Sequence, residues 1–317
     1  MGVFIVRRLV QSLPVLFGIS ILLFFLMHAM PGGPLALFVH QPGMTHKELD
    51  AIAASYGINK PVWVQYALWL GNALHGNFGY SYIYEVPAGQ MMLERIPATA
   101  ELMGSSFLLA FVVAFLLGIL SAVRQYSFMD YFVTVVSYFG MSLPTFFLGI
   151  VAIIFFSVEL RWFPSGGMAS VTGPAGLGDH LRHLVLPAFV LGFFILAQWS
   201  RYIRSSMLEV INQDYIRTAR AKGVSERSII WRHALRNALL PVVTVIVLDT
   251  AFLAGGALVT ETIFSWPGMG RLFYQAVSQS DYPTMMVIVS FLSVVIVLAN
   301  IVADVLYGML DPRVTYS

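Results

Sequence analysis

The chain has 317 residues, of which 58% are hydrophobic and only 11% charged, with a formal net charge of +2. Soluble domains carry about 25% charged residues, so a single water-soluble core is excluded and an integral membrane protein is indicated. Cysteine is absent, which excludes disulfides and cysteine-ligated metal or iron–sulfur sites; the near-balanced charge points to no nucleic-acid partner.

A transmembrane helix takes roughly 20 mostly apolar residues. Six stretches qualify: about Leu9–Ala29, Thr99–Val123, Tyr131–Val158, Leu184–Arg204, Ala238–Thr260 and Pro283–Met309. The expected fold class is therefore all-α integral membrane with six spans. The first stretch follows Arg7 and Arg8, as a signal peptide would, but it is longer than the roughly 7–15 residues of a signal h-region. It also runs into Pro31-Gly32-Gly33-Pro34 instead of a small-x-small cleavage site, so a retained anchor is expected.

Residues 32–98 form a long segment between the first two spans. Within it Thr45–Tyr56 reads as a short helix, with Thr45 as N-cap, Glu48 three residues on and Gly57 as the stop. Pro61–Leu74 reads as a second helix with Trp63, Tyr66, Trp69 and Leu70 on one face, an interfacial anchor beside a bilayer. The fourth and sixth spans are interrupted by Gln198, Asn300 and Asp304.

Basic residues choose the orientation. With the N-terminus inside, Arg7, Arg8, Arg124, Arg201, Arg204, Arg217, Arg220, Lys222, Arg227, Arg232, Arg236 and Arg313 lie inside. Only Lys47, Lys60, Arg95, Arg161, Arg182 and Arg271 lie outside. Both termini are expected to be cytoplasmic.

Ionisable residues inside spans are functional candidates because burying them is expensive. Asp249 and Asp304 qualify. They could form the cation or proton site of an autonomous secondary transporter, or pair within the helix bundle. Asp179, His180 and His183 form an Asp-His-Leu-Arg-His cluster with two histidines at i and i+3. A third convergent metal ligand is not identifiable, so no metal site is expected. His-Glu-x-x-His and Gly-x-Ser-x-Gly are missing, and no catalytic residue is assigned. Walker A is missing as well, the only lysines being Lys47, Lys60 and Lys222. If ATP drives this protein, another chain binds it.

The loop at about 205–237 is the most informative segment. It reads Asp214-Tyr-Ile-Arg-Thr-Ala-Arg-Ala-Lys-Gly223, then Val-Ser-Glu-Arg up to Arg236 and Pro241. Tyr215–Lys222 reads as a short helix, Gly223 as its C-cap and Ser225 as the start of a second helix. A basic loop that only holds topology and touches anionic lipid would carry the same charge. The ordered turn favours a rigid tip that docks a partner.

That segment resembles the EAA loop of the membrane subunits of ATP-binding cassette importers, with Arg217-Thr218-Ala219, Gly223 and Asn237-Ala238-Leu239-Leu240-Pro241 at the matching positions. Arg replaces the Glu of the generic pattern, which resembles the dipeptide and oligopeptide permease branch. Phe4 to Leu9 leading to Pro31-Gly32-Gly33-Pro34 is similar to that branch's first span. Gly57 to Tyr66 with Gly76 to Ser81, and Glu261 to Leu272 with Asp281-Tyr282-Pro283, are similar to its external segments.

The resemblance implies a type I importer permease fold, a five-helix core plus an N-terminal helix. It divides the chain into 1–98, the N-terminal helix with its external segment, and 99–317, the core with its coupling loop at 205–237. It implies a multi-pass protein of a bacterial or archaeal cytoplasmic membrane and a non-catalytic subunit. The partners would be a second, homologous permease in a heterodimer, two ATPase subunits that bind ATP and Mg, and an external solute-binding protein. Tyr215, Thr218, Ala219, Ala221, Lys222, Gly223 and Ser225 would contact the ATPase. Ser142, Pro144, Thr145, Asp249 and Asn300 are candidates for the path, and Phe264, Trp266, Pro267, Gly268 and Arg271 for an external gate. Peptides are the expected cargo; nickel, glutathione or another small solute fits the same architecture.

Overall fold

The computed structural model describes residues 2–29, 33–39, 44–55, 57–170 and 176–310. Pro31, Gly32, Tyr56 and Arg313 of the sequence reading lie outside them. Among the described residues the structure is helical, with no strand and one isolated bridge, Tyr80 to Pro87. The helices are α1 (Gly2–Ala29), α2 (His46–Ser55), α3 (Val62–Leu74), α4 (Ala88–Val123), α5 (Phe128–Ser142), α6 (Thr145–Ala152), α7 (Leu177–Ile211), α8 (Asp214–Ala221), α9 (Leu235–Ile263), α10 (Met269–Ser278) and α11 (Tyr282–Leu310). Shorter helical pieces lie at Gly33–Leu35, Ala36–Val39 and Glu226–Ser228, and π-helical turns at Ile153–Glu159 and Ile229–Ala234.

Four helical stretches among the described residues are long and apolar enough to cross a membrane: Val6–Ala29, Ala88–Val123, Leu177–Ile211 and Tyr282–Val302. The pair Phe128–Ser142 and Thr145–Glu159 is apolar enough only when taken together, and is bent by 108°, as a broken span or a re-entrant loop. The bend corrects the single straight span expected at Tyr131–Val158. Hydropathy runs unbroken across it, but a residue before proline is pushed out of the α region, and Leu143, before Pro144, is extended at φ −87°, ψ 129°. The span expected at Ala238–Thr260 falls in α9, which is 29 residues long; the side chains of 250–256 lie outside the described residues. α4 begins eleven residues before the expected Thr99. Hydropathy marks the roughly 30 Å hydrocarbon core, whereas 36 residues of helix extend about 54 Å.

The chain groups into two compact units, Met1–Ala98 with Gly268–Ile301, and Thr99–Pro267 with Val302–Ser317. In the first, Phe24, Met27, Tyr66, Tyr282, Met285 and Met286 form one buried cluster, and Ala88, Met92, Leu272, Val287 and Ile288 belong to another. Buried Asp281, at the start of α11, accepts hydrogen bonds from Ser81 Oγ, Tyr82 N at 3.1 Å and Thr284 Oγ1 at 2.8 Å. Tyr282 OH donates to Met27 O at 2.5 Å, satisfying a carbonyl in the last turn of α1 that the helix itself leaves open. The expected Thr45 cap is present: Thr45 N and Oγ1 both reach Glu48 Oε2 at 2.8 Å. The aromatic stripe of α3 divides. Tyr66 and Trp69 pack on Phe24, while Trp63 is 71% exposed.

In the second unit α7 is central, packed by α5, α6 and α9. Its crossings are close because they are lined by small residues. A Cβ on Gly118 would lie 2.7 Å from Ile203 Cβ, one on Gly192 2.8 Å from Ser106 O, and one on Gly140 2.8 Å from the Phe193 ring. The Ser137 and Ser200 hydroxyls meet at 3.0 Å. Buried Asp130 ties three elements together. It takes Arg204 Nε at 2.6 Å and Nη2 at 2.9 Å, Tyr126 N at 2.9 Å, and Ser121 Oγ. Such a two-pronged arginine–carboxylate pair fixes orientation as well as charge.

Candidate functional site

The segment between α7 and α9 is built as an anchored tip. α8 covers the expected Tyr215–Lys222 helix, one residue earlier at each end. Its one buried side chain is Ile216, at 0% exposure, and Ile229 is equally buried just beyond the turn. Asn237 Nδ2 donates to Tyr215 OH at 2.8 Å, fastening α8 to α9. At the C-terminus, Gly223 N bonds Arg220 O at 2.9 Å and Val224 N bonds Ala219 O at 3.2 Å. This is a Schellman closure. It sets Gly223 at φ +79°, a conformation only glycine takes without strain. Ser225 starts the next helical piece through its carbonyl, which accepts from Ile229 N at 3.0 Å; its side chain makes no capping bond.

Of the expected contact residues, Tyr215, Thr218, Ala221, Lys222, Gly223 and Ser225 are exposed and Ala219 is half-buried. Across the turn, Arg220 Nε donates to Glu226 Oε1 at 2.7 Å and Nη2 to Oε2 at 3.3 Å. This pairing raises the Arg220 guanidinium and lowers the Glu226 carboxyl relative to their ordinary values. The element can therefore offer a basic, mostly polar face on a backbone closed by its own hydrogen bonds.

The expected path residues are distributed. Ser142 and Pro144 are exposed at the bend between α5 and α6, and Thr145 is half-buried. Ser142 Oγ donates to Tyr138 O at 2.8 Å, within its own helix. Asp249 accepts from Trp199 Nε1 at 2.9 Å and Gln198 Nε2 at 3.3 Å, so it pairs within the bundle with α7. Beside it, Met141, Gln198, Arg201, Tyr202 and Ser205 line a cavity of about 400 Å³. The Arg201 guanidinium sits 4.1 Å above the Tyr138 ring. Asn300 is exposed on α11, in the first unit. Asp304 is half-buried.

The expected gate segment is mostly interior. Phe264 and Trp266 are 1% and 0% exposed, Gly268 is buried, and Pro267 and Arg271 are half-buried. Phe264 O accepts from Gly167 N at 2.8 Å, and a Cβ on Gly166 would lie 2.5 Å from that same oxygen. Buried Glu261 accepts from Thr99 Oγ1 at 2.7 Å.

The Asp179–His183 cluster separates. Asp179 takes Ser170 N at 2.7 Å and Oγ at 2.6 Å, while His180 Nε2 lies 2.5 Å from Glu101 Oε1 and Nδ1 lies 3.0 Å from Met168 O. Among the described residues no group of three or more histidines and carboxylates could hold a metal.

Sequence reasoning missed Gln198 and Trp199 as the partners of Asp249, and the Asp130–Arg204 pair. The available signal was an ionisable residue at each end of adjacent apolar stretches, which in a membrane must find a partner.

Residues 114–316 match the model of the binding-protein-dependent transport system inner membrane component, and residues 1–103 match that of its N-terminal part. The chain belongs to this family. The permease is 43% identical, over the whole of both chains, to the oligopeptide transport system permease protein AppB of Bacillus subtilis (strain 168). It is 42% identical over 97% of both chains to a peptide permease protein of Brucella suis biovar 1 (strain 1330). The permease also resembles the inward-facing MetNI methionine ABC transporter, with a TM-score of 0.57 and 18% identity over 70% of this chain and 97% of that one. An amino acid ABC transporter crystallised with histidines matches at a TM-score of 0.50 and 11% identity, over 69% and 94%. These likenesses show the type I importer permease fold. The chain is thus a multi-pass membrane permease subunit.

Proposed function

We propose that this permease forms, with a second and similar permease, the path by which di- or oligopeptides delivered by an external binding protein cross the cytoplasmic membrane. The observation that carries the reading is the α8 tip, anchored by Ile216 and closed by Gly223, in a chain of this family. Peptide as cargo is supported by full-length similarity to relatives named as peptide permeases.

In this reading Tyr215, Thr218, Ala219, Ala221, Lys222, Gly223 and Ser225 dock an ATPase subunit. ATP and Mg belong to the two ATPase subunits, and this chain performs no chemistry. Both termini face the cytoplasm, on the same side as the tip. ATP binding shifts the ATPase pair toward its closed form, and the docked tip makes that shift favour one arrangement of the permease over the other. A ligand moves such an equilibrium only by its differential affinity for the two states, so a tip that fits loosely transmits little.

The cavity lined by Gln198, Arg201, Tyr202 and Ser205 is assigned to the path wall, with Ser142, Pro144, Thr145 and Asn300 as further candidates. Its Gln198 amide and its Tyr202 and Ser205 hydroxyls suit a peptide backbone, which offers both donors and acceptors, and Arg201 adds a positive charge beside them. The turn at Phe264, Trp266, Pro267, Gly268 and Arg271 is assigned to external closure.

Purification from native membranes in mild detergent tests the assembly. A second permease and one or two ATPases in stoichiometric yield support it; this chain alone, monodisperse and active in uptake, overturns it. Within the path, Asp249→Asn keeps an acceptor for Trp199 and removes the charge. The expected outcome is a changed uptake rate with the ranking of peptides preserved at saturating binding protein.

A further inference from the structure

In the first unit α3 lies along α1. Tyr66 OH is 2.8 Å from Ser20 Oγ, and its ring meets Phe17 and Phe24 edge-on at 6.1 and 5.4 Å. The N-terminal half of α11 completes a groove of about 600 Å³ with these two helices. Its walls include Leu13, Phe17, Leu74, Phe291 and Val294, and several of these are exposed apolar side chains on helices read as membrane-spanning.

Among the described residues two buried side-chain polar atoms have no hydrogen-bond partner, Trp69 Nε1 and Ser290 Oγ. Both residues line this one groove. Leaving a buried donor unmet is costly, so the groove's natural occupant has to be apolar over most of its length and still present an acceptor. An apolar helix of a partner protein satisfies its own backbone and offers no acceptor. A diacyl lipid offers both, and tryptophans favour the headgroup level of the bilayer, where lipid esters lie. The exposed Trp63 on the same helix places α3 at that level.

We propose that this groove binds one membrane phospholipid, its acyl chain against the apolar walls and its ester region accepting from the Trp69 indole. The lipid then joins α1, α3 and α11 as a structural component of the first unit.

The test is native mass spectrometry of the assembled transporter, purified from membranes and titrated with palmitoyl-oleoyl phosphatidylglycerol. Wild type retains one tight lipid per copy of this chain. Trp69→Phe keeps the ring and removes the donor, and it should weaken retention about fivefold, the factor one ordinary hydrogen bond contributes. Ala73→Trp fills the groove and should abolish retention, while Trp63→Phe leaves it unchanged. A photo-crosslinking residue at Leu74 should capture a lipid-sized adduct. Equal retention by wild type and Trp69→Phe, or capture of a protein chain at Leu74, overturns the proposal.

Discussion

The turns that end α8 and α9 are the same backbone device in opposite surroundings. After α8, Gly223 N and Val224 N close back on Arg220 O and Ala219 O; after α9, Ser265 N and Trp266 N close back on Thr262 O and Glu261 O at 3.3 and 2.8 Å. Both put the residue after the cap in the left-handed region, at φ +79° for Gly223 and +51° for Ser265. At the first turn a Cβ would meet nothing within 4 Å, so only the backbone demands glycine there. At the second, Ser265 is itself exposed but stands between buried Phe264 and Trp266, and takes a conformational penalty there. Packing can impose a backbone state that exposed chain reaches only with the right residue. The contrast separates a turn built to be touched from one built to hold.

The largest effect that sharpens this contrast is expected at the buried turn. Trp266→Ala removes a side chain with 0% exposure, a change that typically costs about 3–5 kcal/mol. The purified permease should melt well below wild type in detergent, and its yield in the membrane should fall. A melting temperature equal to wild type would mean that Trp266 does not hold the turn.

At the exposed turn the order of stability and function reverses. Gly223→Ala meets no neighbour and carries only the left-handed penalty, roughly 1 kcal/mol. Gly223→Asp adds bulk and charge on the face assigned to the ATPase. Peptide uptake in vesicles should drop about tenfold or more, the scale of a coupling between sites, while membrane insertion and the melting temperature of the isolated chain barely change. Gly223→Asn, which tolerates the left-handed region, should keep more uptake than Gly223→Asp. Normal uptake by Gly223→Asp would remove the docking role from this turn.

A smaller effect of opposite sign is expected at Ser265. Glycine there releases about 1–2 kcal/mol of left-handed strain and loses about 0.4–1 kcal/mol through the freer unfolded chain. Ser265→Gly, at an exposed position, should therefore raise the melting temperature slightly, whereas Trp266→Ala beside it lowers it. A fall would show that packing, not backbone strain, sets the local energy.

Local chemistry was legible in the sequence. The Thr45–Glu48 cap, the Gly223 stop and the extent of α8 follow from residues within a few positions of one another, and so do most span centres. What was not legible depends on distant partners. Asp130 and Arg204 are 74 positions apart, and Trp199 and Asp249 are 50 apart, so no window over the chain joins them. The bend at Leu143–Pro144 was hidden for a different reason. Hydropathy measures affinity for lipid and is blind to the pre-proline constraint. The stripe on α3 divides between Tyr66 and Trp69, which pack on Phe24, and Trp63, which stays exposed, because periodicity fixes a face and does not determine how much of it a neighbour covers.

The smallest expected effect tests whether the exposed turn is held by its backbone or by its ion pair. Arg220 depresses the Glu226 carboxyl below the ordinary 4.5, so the pair stabilises the folded turn above the unfolded glutamate value, and that contribution is lost as pH falls through the lower folded one. Both side chains are substantially exposed, at 42% and 61%, and screened pairs of this kind contribute about 0.2–1 kcal/mol. The Schellman bonds carry no such pH dependence. Uptake by Glu226→Gln at neutral pH should therefore stay within about twofold of wild type, and the small stability difference between them should vanish as pH falls through the lowered Glu226 value. A large loss at neutral pH would move the holding role from Gly223 to the ion pair. The exposed turn would then resemble the buried one, with side chains imposing its shape.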